Sequence, residues 1–136
     1  MENKKPQAII LDPASISRLP QESFTETDRG VVTWQTLISA PTTASDSLTA
    51  GIATCPPKHG HLCIHQHKQA EIYHVTQGRG IVSIDGVEHA VEAGSVVYIP
   101  GDAEHGIRNE DPEEDLKWLY IFPTDGFGDV VYRFKD

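Results

Sequence analysis

The feature that most limits how this chain can fold is a two-residue rhythm. From Val31 onward, most segments alternate in polarity and are rich in Val, Ile, Thr, Tyr and Trp. VVTWQTLIS (31–39), LTAGIAT (48–54), EIYHVT (71–76), GIVSID (80–85), VEHAV (87–91), SVVYIP (95–100), LKWLYIFP (116–123) and VVYRF (130–134) all read as strands. Turn residues punctuate them. Asp85-Gly86 lies between two such runs as a two-residue hairpin, and Gly94, Pro100-Gly101-Asp102, Asp111-Pro112 and Asp125-Gly126 mark further turns. Many short antiparallel strands at this spacing predict an all-β sandwich or barrel. Residues 12–20, DPASISRLP, predict one short helix, with Asp12 as N-cap and Pro13 at the first helical position. Residues 20–30 are polar and read as irregular. A chain of 136 residues fits one domain. The expected organisation is an N-terminal arm over residues 1–30 and a single barrel over residues 31–136.

Charge narrows the partners. Eleven Lys and Arg stand against twenty Asp and Glu, a net charge of −9, and no basic cluster forms. Nucleic acid is therefore not an expected partner. The acidic run Glu110–Asp115 reads as a solvated turn. No apolar run is long enough to span a membrane, and the patch Ala8–Leu11 is too short for a secretory core, so a cytoplasmic protein is expected. The two cysteines, Cys55 and Cys63, then read as reduced core thiols.

The stretch HLCIHQHKQAEIYHVTQG (61–78) carries four of the seven histidines. In a strand, residues two apart share a face, so His65 and His67 point the same way. Glu71 follows after the polar link Lys68-Gln69-Ala70, and a turn there returns it to the same point. His105, which opens a segment after the turn at Pro100–Glu104, is the candidate fourth group. Three imidazoles and a carboxylate suit one divalent transition metal ion, whether Fe, Mn, Ni, Zn, Co or Cu. Four protein ligands on a six-coordinate ion leave two positions for water or substrate, which fits catalysis. His59, His61, Cys63, His65 and His67 share one parity. At about 3.3 Å per residue His61 lies too far from His65 to join it, so His59 and His61 read as strand-entry residues. His74 has the opposite parity to Glu71 and should face away, and His89 beside the hairpin should be exposed.

The spacing His65-x-His67-x3-Glu71-x6-Gly78, followed by Gly94-x5-Pro100-x4-His105-x3-Asn109, resembles the two motifs of the cupin superfamily. Two positions differ: His59 and Asp102 stand where those motifs usually have Gly. The resemblance implies a jelly-roll, or double-stranded β-helix, barrel. Within cupins, AEIYHVTQGRG (70–80), GSVVYIPGDAEH (94–105) and IFPTDGF (121–127) are similar to the small lyases that cleave dimethylsulfoniopropionate. That likeness implies metal held by His65, His67, Glu71 and His105. It also implies Tyr73 as base and Tyr98 as a second catalytic tyrosine that holds the substrate carboxylate or shares the base role. It also implies a further tyrosine about where Leu119 stands, for which Tyr120 either substitutes or points outward. The expected partner is a small carboxylate, with β-elimination giving dimethyl sulfide and acrylate. A dioxygenase or isomerase on another small molecule, or a non-catalytic binding cupin, would use the same ligands. Pairing through the edges of strands 31–39 and 130–134 would give a homodimer.

Overall fold

The structure is a computed structural model and describes residues 5–135. Helix α1 (Pro13–Ser17) begins as its sequence dictates, with Asp12 Oδ1 accepting from the Ser15 amide at 2.7 Å and proline in the first turn. The remainder is strand and turn. The strands are β1 (Glu22–Ser23), β2 (Gly30–Val31), β3 (Thr33–Ile38), β4 (Thr49–Cys55), β5 (His61–Gln66), β6 (Glu71–Gln77), β7 (Arg79–Ile84), β8 (Val87–Glu92), β9 (Val96–Ile99), β10 (His105–Asn109), β11 (Leu116–Phe122) and β12 (Arg133–Phe134). Short 3-10 turns cover Thr27–Arg29 and Phe127–Asp129. Among the described residues, no helix is long and apolar enough to cross a membrane.

Two antiparallel sheets face each other as a jelly roll. One runs β1-β3-β4-β11-β6-β9; the other runs β12-β5-β10-β7-β8, with β2 also paired to β5. Three sequence expectations are corrected here. The run 31–39 is two strands, because the chain crosses from the second sheet to the first at buried Val32. Residues 20–30 are not irregular throughout, since Glu22–Ser23 pairs with β3. Of residues 130–134, only Arg133 and Phe134 pair, on β5.

The inner face of the first sheet follows the period of two. Leu116, Trp118, Tyr120 and Phe122 of β11 are all buried, as are Thr49, Ala53 and Cys55 of β4. Cross-strand register places Trp34, Ala53, Trp118 and Val75 in one row, and Thr36, Gly51, Tyr120, Tyr73 and Val97 in the next. α1 packs on the outer side: Gln35, of opposite parity to Trp34, donates its side-chain amide to the carbonyls of Ile16 and Leu19.

The period breaks in β5. His105 of β10 lies opposite His65, and Ile107 lies opposite Leu62, so two residues (Cys63 and Ile64) oppose the single Gly106. This β-bulge re-aims the strand, turning both Leu62 and His65 inward. A Cβ on Gly106 would come within 2.9 Å of the Leu62 carbonyl oxygen, so only glycine lets the bulged backbone approach. Parity across the bulge is thereby lost, and Cys63 leaves the core to donate its thiol to the Asp28 carbonyl at 3.2 Å. Cys55 stays in the core, and burial pushes its thiol up to about 12. Both cysteines are free.

Asn109 ends β10 as a buried clamp. Its side-chain NH2 donates to the carbonyls of Cys55, Pro56 and Glu114, and its Oδ1 accepts from the Asp111 amide. Replacing Asn109 with alanine strands those backbone groups, and each unmet buried group costs about 1–3 kcal/mol. The Asn109→Ala variant should therefore lose about 2–4 kcal/mol in a urea titration, whereas the exposed substitution His89→Ala should change stability by less than about 0.5 kcal/mol.

Candidate metal centre

His65 is the last inward residue of β5, and His67 follows just beyond that strand. The link Lys68–Ala70 then carries the chain from the second sheet to the first, where Glu71 opens β6. His105 opens β10. The turn before it is held to the first motif, because the Asp102 amide donates to the His67 carbonyl at 2.8 Å. Asp102, where the motif usually has Gly, adopts φ +64°, a left-handed conformation that aspartate tolerates better than most residues. It is further fixed by an ion pair with Arg133.

All four side chains are at most 3% exposed. The Nδ1 of His65 lies 2.8 Å from the Cys63 carbonyl, that of His67 lies 3.0 Å from the Gln69 carbonyl, and that of His105 lies 2.9 Å from the Ala103 carbonyl. A carbonyl only accepts, so each Nδ1 carries the proton and each Nε2 is left with a lone pair. One ring nitrogen from each of the three, a potential metal ligand, lies within 4.8 Å of the other two. Glu71 Oε1 is 3.2 Å from His67 Nε2 and 3.3 Å from His105 Nε2. None of the three Nε2 atoms, nor Glu71 Oε1, has a hydrogen-bond partner among the described residues. Four buried acceptors thus face one another with no donor between them. That donor set fits a divalent transition ion, and the backbone carbonyls behind the rings are the outer support that metal-binding histidines ordinarily have.

Residues 51–122 match the Cupin domain family. The chain belongs to the cupin family. The dimethylsulfoniopropionate lyase DddW of Ruegeria pomeroyi is 40% identical over 116 residues, which covers 85% of this chain and 74% of that protein. Among solved structures, the polyketide cyclase RemF from Streptomyces resistomycificus superposes with a TM-score of 0.74 at 18% identity, covering 93% of this chain and 87% of its own. A chain from the crystal structures of the DMSP lyases RdDddP and RnDddQII superposes with a TM-score of 0.73 at 21% identity, covering 90% and 65%. These structural likenesses establish the fold.

The cupin barrel holds a cavity beside the histidines, lined by Glu71, Tyr73, Trp34, Trp118, Tyr120, Phe24, Phe127 and Tyr132 among others. Its volume is ≈ 30 Å³, room for one or two waters, so a larger ligand enters only by displacing wall side chains. Phe24, Phe127 and Tyr132 are half-buried and form the wall best placed to give way. Tyr73 is 1% exposed and shares the inner face with Glu71. Burial, then the Glu71 carboxylate, holds its phenol well above the usual range.

Tyr98 is not in this space. It is 64% exposed, because its Cα partner is the outward-facing Ile72 while its neighbour Ile99 turns inward opposite Glu71. The tyrosine expected to act beside Tyr73 thus faces outward and does not line the cavity. Of the two alternatives open for Tyr120, the inward one is observed, and Tyr132, for which the sequence gave no expectation, stacks on His65 at 4.7 Å. Tyr132 shares parity with buried Val130, and that was the available signal. His74 and His89 are exposed, and His59 and His61 stand apart from the cluster.

Burial, with His105 close by, pushes His65 down to about 3, against an ordinary value near 6.5. In metal-free protein the unfolded chain therefore binds a proton that the folded chain refuses. Stability is full above about pH 6.5 and falls as the pH drops toward about 3. Urea midpoints of chelator-treated protein should decline from pH 7 to pH 4, and His65→Leu should flatten that decline.

Proposed function

We propose that this cupin is a metal-dependent lyase for a small carboxylate, with dimethylsulfoniopropionate as the substrate. What carries this reading is a cluster of three histidines with Glu71, beside a cavity that Glu71 and Tyr73 line, in a chain 40% identical to a lyase named for that substrate. His65, His67, Glu71 and His105 would hold the divalent ion. Such an ion, when bound, supplies positive charge that acidifies the carbon next to a substrate carboxylate and counters the burial that otherwise holds the Tyr73 proton.

The chain's own residues do the rest. Tyr73 Oη takes the proton from the α carbon. The bond between the β carbon and sulfur then breaks with its electron pair going to sulfur. The sulfonium leaves as neutral dimethyl sulfide, and the remaining carbons leave as acrylate. One proton is released per turnover and no oxidant is consumed. The aromatic wall of Trp34, Trp118, Phe24 and Phe127 excludes water and keeps the dielectric low, which strengthens each polar contact inside.

The test is headspace dimethyl sulfide from protein loaded separately with Fe(II), Mn(II), Ni(II) or Zn(II), with and without oxygen. Release should persist without oxygen and vanish in His105→Ala. Tyr73→Phe should lower kcat by about 10²–10⁴-fold, while the outward-facing substitution Tyr98→Phe should leave it within about twofold. No release with any of the metals, or undiminished release from Tyr73→Phe, would contradict the reading.

A further inference from the structure

The aromatic wall of the cavity is built with more order than the exclusion of water requires. Four rings from four separate segments close on one another. Phe24 follows β1, Trp34 lies in β3, Phe127 opens the second 3-10 turn and Tyr132 precedes β12. Neighbouring ring centroids lie 4.9 Å apart for Phe24 and Trp34, 6.1 Å for Trp34 and Phe127, 6.2 Å for Phe127 and Tyr132, and 6.0 Å for Tyr132 and Phe24. The circuit is closed, and all four rings line the cavity. With sides this short, the centre of the circuit lies within about 6 Å of every ring, the range in which an aromatic face attracts a cation.

Charge agrees with this geometry. Among the described residues lining the cavity there is no lysine or arginine, and the acid is Glu71. The aromatic cluster already takes a cation on its outer side. The Arg29 guanidinium sits 4.5 Å over the ring of Phe134, which packs on Phe24 at 5.6 Å, and Glu26 pairs with that guanidinium at 3.0 Å. Among the described residues, no side-chain cation sits over the four inner rings. Phe24 and Tyr132 also line an outer pocket with Glu26, Arg29 and Phe134, so these two rings stand between that pocket and the cavity. Each lies beside a strand held by one two-residue pairing. Such lightly paired segments open most readily, and their parting widens a cavity of ≈ 30 Å³.

We propose that Phe24, Trp34, Phe127 and Tyr132 form a box for an onium group, a positively charged and fully alkylated sulfur or nitrogen, and that this box selects the cationic end of the substrate. The inference rests on the lyase reading for the substrate's identity, but the box is a property of the protein alone. Tyr132 also stacks on His65 at 4.7 Å, so the box adjoins the histidine cluster. A short acid can then keep its carboxylate beside the histidines while its onium end sits among the rings. The rings touch the head of the ligand and not the carbon that loses a proton, so they set specificity. Their attraction ends when a sulfonium becomes a neutral sulfide, which favours release of that product.

The test uses two isosteric acids, 3-(trimethylammonio)propanoate and 4,4-dimethylpentanoate, which differ in having a positive nitrogen or a neutral carbon at the branching atom. Their binding to Zn(II)-loaded protein is measured by titration calorimetry. The onium acid should bind about tenfold or more tightly than its neutral counterpart, and Phe24→Leu and Phe127→Leu should each lower that ratio by about twofold to fivefold. Leucine also changes shape, so a second measurement replaces the phenylalanines with 3,4,5-trifluorophenylalanine, which keeps the ring and drains its face of electron density. The ratio should fall again. Equal or weaker binding of the onium acid would overturn the box. So would a ratio unmoved by the leucine variants, or one that falls with leucine but not on fluorination, since that marks shape alone. An onium preference in protein that releases no dimethyl sulfide from dimethylsulfoniopropionate would keep the box and overturn the lyase. Release of dimethyl sulfide by protein without an onium preference would keep the lyase and overturn the box.

Discussion

Three hydrogen bonds from imidazole Nδ1 to backbone carbonyls set the character of this barrel. They fix the tautomer of His65, His67 and His105 and turn three Nε2 lone pairs toward one buried point, where Glu71 Oε1 also faces. Alone, that arrangement is unfavourable. Four buried acceptors that face one another lose hydration and gain no donor from the described residues. A cation at that point would turn the loss into coordination, so the cost of bringing these lone pairs together is also their selectivity for positive charge. The sheets must be rigid enough to hold the acceptors together, and the rest of the fold follows from that need.

Each strand end contributes in a recognisable way. The bulge in β5 brings Leu62 and His65 to the same side, which simple alternation would forbid. The three-residue link after His67 carries the chain between sheets so that Glu71 approaches from the opposite wall. The turn at Asp102 is tied to the His67 carbonyl and positions His105. Asn109 then clamps the loop leading into β11, the strand that supplies Trp118, Tyr120 and Phe122 to the cavity wall. Turn chemistry and ligand placement are therefore one problem in this chain.

Much of this was legible in the sequence, for physical reasons. The period of two identified most strands, and the His-x-His pair with Glu71 and His105 could be read as one cluster because strand geometry puts alternate residues on one face. What could not be read lies where two residues of similar chemistry compete for one face. In LKWLYIF both faces are apolar, so alternation did not say whether Tyr120 or Leu119 turns inward. In VVYI the direction of Tyr98 depends on its register with β6, which no local pattern encodes, and it proved to face outward. The bulge removed parity from His61 and Cys63. Two-residue pairings such as β1 and β12 carry too few side chains to show a period.

The aromatic wall makes the two sheets unequal partners. The second sheet brings the three histidines, whereas the first brings Glu71, Tyr73 and Tyr120. The cavity lies between them, so a ligand there would touch both. The claim on which the account depends most is the ligand set itself. X-ray absorption spectroscopy of protein loaded with one equivalent of Zn(II) tests it most directly. The account predicts a first shell with three imidazole nitrogens and a carboxylate oxygen, losing one imidazole in His105→Ala and the carboxylate in Glu71→Ala. A shell with fewer than three imidazoles, or one unchanged by either substitution, would contradict it.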